Sequence, residues 1–234
     1  MESEPALINE RRQQDGRLFH RLVQQQIIGI PPENISRQAS SADVQRWWEN
    51  YQAHPNTLAG YVLHTELTLS APLAGSFRLL AKYDLLAVQA GKKLLIYDWK
   101  TYARRPRDET MLTRWQTRVY RALLVLAGTH LNGDDPIHPE QITMIYWYAD
   151  YPAEPARFSY SVTQFDRDRE ALGRMVAEIA ASMDFPRTDE EKKCSYCVYR
   201  SFCDRKVVPG VDELLESELE EPRIDLEQIQ EISF

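Results

Sequence analysis

Cysteine is scarce in this chain, with three in 234 residues and all of them between positions 194 and 203. A secreted fold stapled by several disulfides is therefore excluded, and the thiols read as metal ligands or free thiols in a reducing cytoplasm. Long apolar runs are missing too. No stretch of about 18 apolar residues occurs, so a transmembrane helix is excluded and no membrane association is expected. The opening MESEPALINERRQQDG has neither an apolar core nor a small-residue cleavage site, and it is not expected to be a signal peptide. Internal repeats are absent as well.

What is present fits one ordinary globular domain: 43% apolar and 27% charged residues in a length that allows a sizeable core. The net charge of −7 is unevenly placed. From Val211 to Phe234 there are nine acidic residues against one base, Arg223, and this −8 leaves residues 1–210 at +1. A folded unit over 1–205 and an acidic tail over 206–234 are expected. The body can hold a basic groove despite the acidic total. The tail also carries Leu214, Leu215, Leu219, Leu226, Ile229 and Ile232. A purely disordered acidic segment would lack these, so an amphipathic helix that docks on the body or on a partner is expected. Its charge would mimic DNA and occupy the basic groove until substrate or a partner displaces it.

The hydropathy pattern predicts helices over 9–28 and 41–52, the second capped by Ser41. Strands are expected over 61–69, 77–88 and 93–98, with Gln89-Ala-Gly-Lys92 as the hairpin turn between the last two. A helix over 109–126 follows, with Leu112, Trp115, Val119, Ala122, Leu123 and Leu126 along one side. A loop over 128–139 leads to a strand over 141–148, a hairpin partner from Arg157 and a closing helix over 163–183 capped by Thr163. The order α-α-βββ-α-β-β-α describes an α/β (α+β) single domain, a mixed central sheet flanked by helices.

Chemistry concentrates in the middle strands. In Asp98-x-Lys100 the two-residue strand period sends both side chains to one face of an otherwise apolar segment. Asp84 lies on the preceding strand, within reach of Asp98 across the hairpin. Paired carboxylates repel unless a cation joins them, and hard oxygen ligands suit Mg²⁺ or Mn²⁺. The plainer alternative is a structural salt bridge at a strand end.

Gly16-x3-His20, Asp84 in Lys82-Tyr-Asp-Leu-Leu86, Asp98-Trp-Lys100 and Gln116-x3-Tyr120 occur in an order that resembles the motifs of RecB-like nucleases, within the PD-(D/E)XK superfamily. The resemblance runs from Gly16 to Cys203. It implies a metal-dependent DNA nuclease that hydrolyses phosphodiester bonds in repair, recombination or defence, an exonuclease in preference to an endonuclease. The alternative is an inactive nuclease-fold subunit that only binds DNA. By the same resemblance His20, Asp84, Asp98 and the backbone carbonyl of Trp99 would be metal ligands. Lys100 would be the catalytic lysine, Gln116 and Tyr120 would contact DNA or support the site, and Glu66 would stand behind the ligands. The plainer readings are a packed histidine for His20 and a polar helix margin for Gln116 and Tyr120.

Cys194-x2-Cys197-x5-Cys203 is similar to the C-terminal triplet of the iron–sulfur members of that group, which implies a [4Fe–4S] cluster. The fourth, N-terminal cysteine of that pattern is missing here. An external ligand or Asp204, a zinc ion, or three free thiols are the other readings. Arg104, Arg105 and Arg107 follow the catalytic lysine and suit phosphate contacts. Trp47, Trp48, Tyr102 or Trp115 could stack on bases, although core positions are favoured for the tryptophans. The expected partner is DNA, as single strands or duplex ends. No GK[ST] phosphate loop is present, so a helicase or other repair or defence subunit would be a separate protein.

Overall fold

The computed structural model describes residues 7–54, 58–75 and 77–190, together with Cys194, Cys197 and Cys203. The expected acidic tail lies outside the described residues. Helix α1 spans Leu7–Ile27, a short α2 spans Pro32–Ile35 and α3 spans Ala42–Ala53. Three strands follow, β1 (Val62–Ala74), β2 (Phe77–Gln89) and β3 (Lys93–Lys100). After them come α4 (Asp108–Thr113), α5 (Trp115–Ala127), β4 (Ile142–Tyr148), β5 (Tyr151–Ser159) and α6 (Val162–Ala181).

The five strands form one mixed sheet in sequence order, β1-β2-β3-β4-β5. Every neighbouring pair is antiparallel except β3 and β4, which are parallel because α4 and α5 carry the chain back between them. The expected α/β (α+β) class, a mixed sheet flanked by helices, is what forms. Ser41 caps α3 as expected, its hydroxyl accepting from the Val44 amide at 3.2 Å.

Several boundaries differ from the sequence expectation, four of them with a structural consequence. The helix foreseen over 109–126 is broken at Arg114, whose ψ of 145° separates α4 from α5. In consequence Trp115 is 44% exposed and does not join the buried stripe. β5 starts at Tyr151, six residues before Arg157, because an edge strand tolerates Pro152 and Pro155. α6 is capped by Ser161, whose side chain accepts from the Gln164 amide, and Thr163 lies inside the helix. β1 continues past Leu69 to Ala74, forming a long hairpin with β2.

Each face of the sheet has its own core. On one face α1 and α3 pack Phe19, Leu22, Val23, Trp47, Trp48 and Tyr51 against Leu85, Ala87, Leu95, Tyr97, Trp99, Ile145 and Trp147. On the other, Leu123 and Leu124 of α5 meet Leu86, Val88, Leu94, Ile96, Met144, Tyr146 and Tyr148. Along β3 and β4 the two sets alternate, as a pleated strand requires.

In β2 the alternation changes phase. Leu85 and Ala87 belong to the α1/α3 core, yet Ala81 and Tyr83, at the same parity, belong to the α5 core together with Leu86 and Val88. The change falls at Asp84. Directly across the hairpin, between the pairs Thr65↔Leu85 and Leu67↔Tyr83, stands Glu66 with φ +55°. A non-glycine residue in that conformation stores strain. It re-aims the hairpin, so Asp84 sits at the seam between the two faces.

Candidate active site

Asp84 is reached from both sides of the seam. Its Oδ2 lies 3.4 Å from His20 Nδ1 on α1, and the same oxygen accepts the Trp99 amide of β3 at 2.9 Å. Burial alone would raise its pKa. His20, the Trp99 amide and the Lys100 charge outweigh burial and hold the carboxyl below its ordinary value. His20 is a quarter exposed, with its ring edge-on to Phe19 at 6.3 Å.

Asp98 and Lys100 project together from β3 toward α5, as the DxK spacing predicts. Asp98 is 2% exposed and Lys100 6%. Lys100 Nζ lies 2.7 Å from Asp98 Oδ1 and donates to Gln116 Oε1 at 3.0 Å. Gln116 Nε2 closes the triangle by donating to Asp98 Oδ2 at 3.2 Å. The ammonium also lies 5.8 Å from the Tyr102 ring centre and 5.5 Å from that of Tyr146.

Burial works against the Lys100 charge, but Asp98 and the nearby tyrosines win, and the ammonium is held well above its usual pKa. The Asp98 carboxyl is pushed up to about 6, because burial and the Asp84 charge outweigh the help of Lys100. It is still ionised at neutral pH, at a cost that an added cation would remove.

Tyr120 plays a different part from Gln116. Its hydroxyl donates to the Lys82 carbonyl at 2.7 Å, and the Tyr83 hydroxyl donates to the Tyr120 carbonyl at 2.8 Å. The two rings lie 4.8 Å apart. This reciprocal clamp fixes β2 against α5 immediately before Asp84. Glu66 pairs with Lys82, its Oε2 2.6 Å from Lys82 Nζ.

The Trp99 side chain belongs to the aromatic core, and its amide serves the site through Asp84. Of the loop arginines, Arg105 is turned inward. Its Nε donates to the Glu154 carbonyl at 2.8 Å, it pairs with Asp108 at 2.7 Å, and its guanidinium lies 5.2 Å from the Tyr148 ring centre. Arg104 and Arg107 are exposed. Trp47, Trp48 and Tyr102 are buried, and Trp115 is on the surface.

Sequence reasoning did not single out several partners. Lys82 and Tyr83 form the clamp just described. Thr117, fully buried beneath Gln116, is 2.8 Å from the Tyr146 hydroxyl. Their signal was present in adjacency to Asp84 and Gln116, but which neighbour turns toward the site depends on the phase change and the break at Arg114.

The donor chemistry suits a divalent cation: the buried Asp98 carboxylate, the partly buried Asp84 carboxylate and an imidazole. Asp98 Oδ1 is buried, with the ammonium at 2.7 Å and no donor aligned for a hydrogen bond. A ready-made cage is another matter. Among the described residues no three His, Cys, Asp or Glu side chains converge as a metal site. This includes the three cysteines, which form no disulfide. Cys194 is buried, and the Cys197 amide donates to the Cys194 carbonyl at 3.2 Å.

No curated protein matches the chain. The chain is similar to a solved structure described as "Crystal structure of SSO0001", at 14% identity and a TM-score of 0.41, over 83% of this chain and 86% of that one. A sequence model described as "PD-(D/E)XK nuclease superfamily" matches residues 4–204. With that match spanning the sheet, its flanking helices and the cluster around Asp84, Asp98 and Lys100, the chain belongs to the PD-(D/E)XK nuclease superfamily.

Proposed function

We propose that this chain is a divalent-metal-dependent deoxyribonuclease of the RecB-like type, acting from DNA ends. The observation that carries the reading is the closed triangle of Asp98, Lys100 and Gln116 set beside the His20–Asp84 pair. A structural salt bridge would need neither the amide link to α5 nor a second carboxylate whose charge acts on Asp98. His20, Asp84, Asp98 and the Trp99 carbonyl would hold Mg²⁺ or Mn²⁺. A bound cation of this kind polarises a phosphoryl oxygen and lowers the pKa of a water.

The protein's own groups do the remaining work. Lys100, kept protonated by Asp98, offsets the negative charge that builds on the phosphoryl oxygens as the ester bond breaks. Gln116 holds ammonium and carboxylate in fixed relation, which limits the reorganisation needed at that moment. The Tyr83–Tyr120 clamp keeps β2 registered so that Asp84 stays opposite the Trp99 amide. Arg104 and Arg107 are exposed where the strand ends meet solvent, which suits phosphate contacts.

A second reading, a nuclease-fold subunit that binds DNA without cutting it, draws on the lack of a preformed three-donor cage among the described residues. One assay separates the two. End-labelled single- and double-stranded DNA and a closed circle are incubated with protein and Mg²⁺, Mn²⁺ or EDTA, beside Lys100→Ala. Metal-dependent loss of linear DNA, absent in the variant, with the circle intact, is the expected result. DNA bound but uncut under every condition favours the second reading.

Three further parts of the proposal rest on sequence. Cys194, Cys197 and Cys203 would carry a [4Fe–4S] cluster or zinc, read out by iron and zinc content. The acidic segment after residue 210 would compete with DNA, read out by affinity after truncation at Gly210. A helicase or other repair or defence subunit would act with it in the cytoplasm. Among the described residues no helix is long and apolar enough to cross a membrane.

A further inference from the structure

On the far side of α5 from Gln116 and Tyr120 lies a second polar cluster that the catalytic chemistry does not use. Asp168 of α6, 7% exposed, accepts from Arg118 Nε at 2.7 Å and from the Tyr160 hydroxyl at 3.1 Å. Arg121, 2% exposed, lies 3.6 Å from the same carboxylate and is held by donations to the Thr117 and Ser159 carbonyls. A cavity of about 240 Å³ opens there between α4, α5 and α6, and Arg118, Arg121, Arg167, Asp168 and Gln164 line it. Three guanidinium groups thus face one carboxylate, a surplus of two positive charges in a partly enclosed space. The volume is that of several water molecules.

At the Arg118 side stands Trp115, 44% exposed, with the Arg118 guanidinium 4.5 Å from its ring centre. A large aromatic left on the surface and backed by a cation offers an amphipathic plane beside an anion-attracting pocket. This pairing is the chemistry of single-strand recognition, in which bases stack on aromatic faces and arginines track the phosphates. A duplex would offer Trp115 no unpaired base. Residues 116 and 118 project about 160° apart around a helix, and α5 is only roughly 10–12 Å across with side chains. A strand leaving the Asp98–Lys100 site can therefore round α5 within a few nucleotides.

We propose that Trp115, Arg118 and Arg167 form a second binding site for single-stranded DNA, in which a base stacks on Trp115 and the adjoining phosphate enters the arginine-lined cavity. The choice of DNA rests on the nuclease reading given above. The site itself is independent of cleavage.

The test is oligonucleotide binding in EDTA, where no cutting occurs, followed by anisotropy of a labelled single-stranded 15-mer. Trp115→Ala and Arg167→Glu change exposed side chains and leave the buried Asp168 network in place. Arg37→Glu, on the exposed segment after α2, alters net charge equally at a distance. Each of the first two should weaken binding roughly 5- to 10-fold, the scale of one lost base stack. Arg167→Glu should also flatten the salt dependence by about one ion or more. Arg37→Glu should bind within about twofold of wild type. The inference is overturned if both site variants bind like wild type, if Arg37→Glu loses as much, or if duplex of equal length binds more tightly. An inactive wild-type protein whose binding still depends on Trp115 and Arg167 would retire the nuclease reading and leave this site standing.

Discussion

The two faces of the sheet are built from different materials. Toward α1 and α3 the interior is dry and aromatic: the Trp147 ring stacks on Phe19 at 6.0 Å and meets Tyr51 and Trp99 edge-on. Toward α5 most of the aromatics are tyrosines, several with engaged hydroxyls, and ions are buried among them. Tyr83 and Tyr120 clamp two elements, Tyr146 meets Thr117, and Tyr160 serves Asp168. The dry face gives rigidity without direction. The wet face fixes direction, because each hydrogen bond has a partner and an angle. The phase change at Glu66 and Asp84 puts Asp84 where the two meet.

This division can be broken by experiment. The largest expected effect is on the dry face. Trp147→Ala removes a 2%-exposed ring from the centre of the aromatic core and should cost about 3–5 kcal/mol in urea unfolding. A variant that stayed equally stable but lost cleavage would show that this face has a direct catalytic part. Next comes Asp168→Ala on the wet face, which leaves Arg121 buried without its carboxylate and should cost about 3 kcal/mol. Pairing it with Arg121→Met should recover most of that loss, because the unpaired charge causes the damage.

Metal loading should act through the seam. Mn²⁺ at about one hundred times its dissociation constant should stabilise the folded protein by roughly 2.7 kcal/mol, visible as a raised Tm. Asp84→Asn should lose that rise. If the rise survives, cations are held elsewhere and the ligand assignment fails. The smallest stability effect belongs to Tyr120→Phe, about 1 kcal/mol for one hydrogen bond to the Lys82 carbonyl. Its effect on cleavage should be larger in proportion, roughly tenfold, since a small shift of β2 misplaces Asp84. Equal losses in stability and rate would make the clamp merely structural.

Much of this arrangement was legible beforehand for physical reasons. The strand period alone puts Asp98 and Lys100 on one face, and the turn at Gln89–Lys92 alone brings Asp84 alongside. The 116/120 spacing places Gln116 and Tyr120 on one side of α5, but their separate duties could not be read from it. One bridges Asp98 and Lys100, and the other grips a backbone carbonyl. The break at Arg114, with its ψ of 145°, is not legible in the sequence because nothing local forbids a helix there. Helical spacing alone therefore places Trp115 in the buried stripe, whereas it is 44% exposed. The phase change in β2 was equally hidden, since it depends on Glu66 adopting a backbone conformation that glutamate rarely visits.

The prolines of β5 have a consequence for behaviour in concentrated solution. As the last strand of the sheet, β5 offers a row of backbone groups to any passing extended chain. Pro152 and Pro155 have no amide hydrogen to contribute, so an incoming strand would meet gaps where it needs donors. Self-association through that border is thereby discouraged. A Pro155→Val protein, with the missing donor restored on a β-favouring residue, would be the variant to watch for fibres or strand-paired dimers.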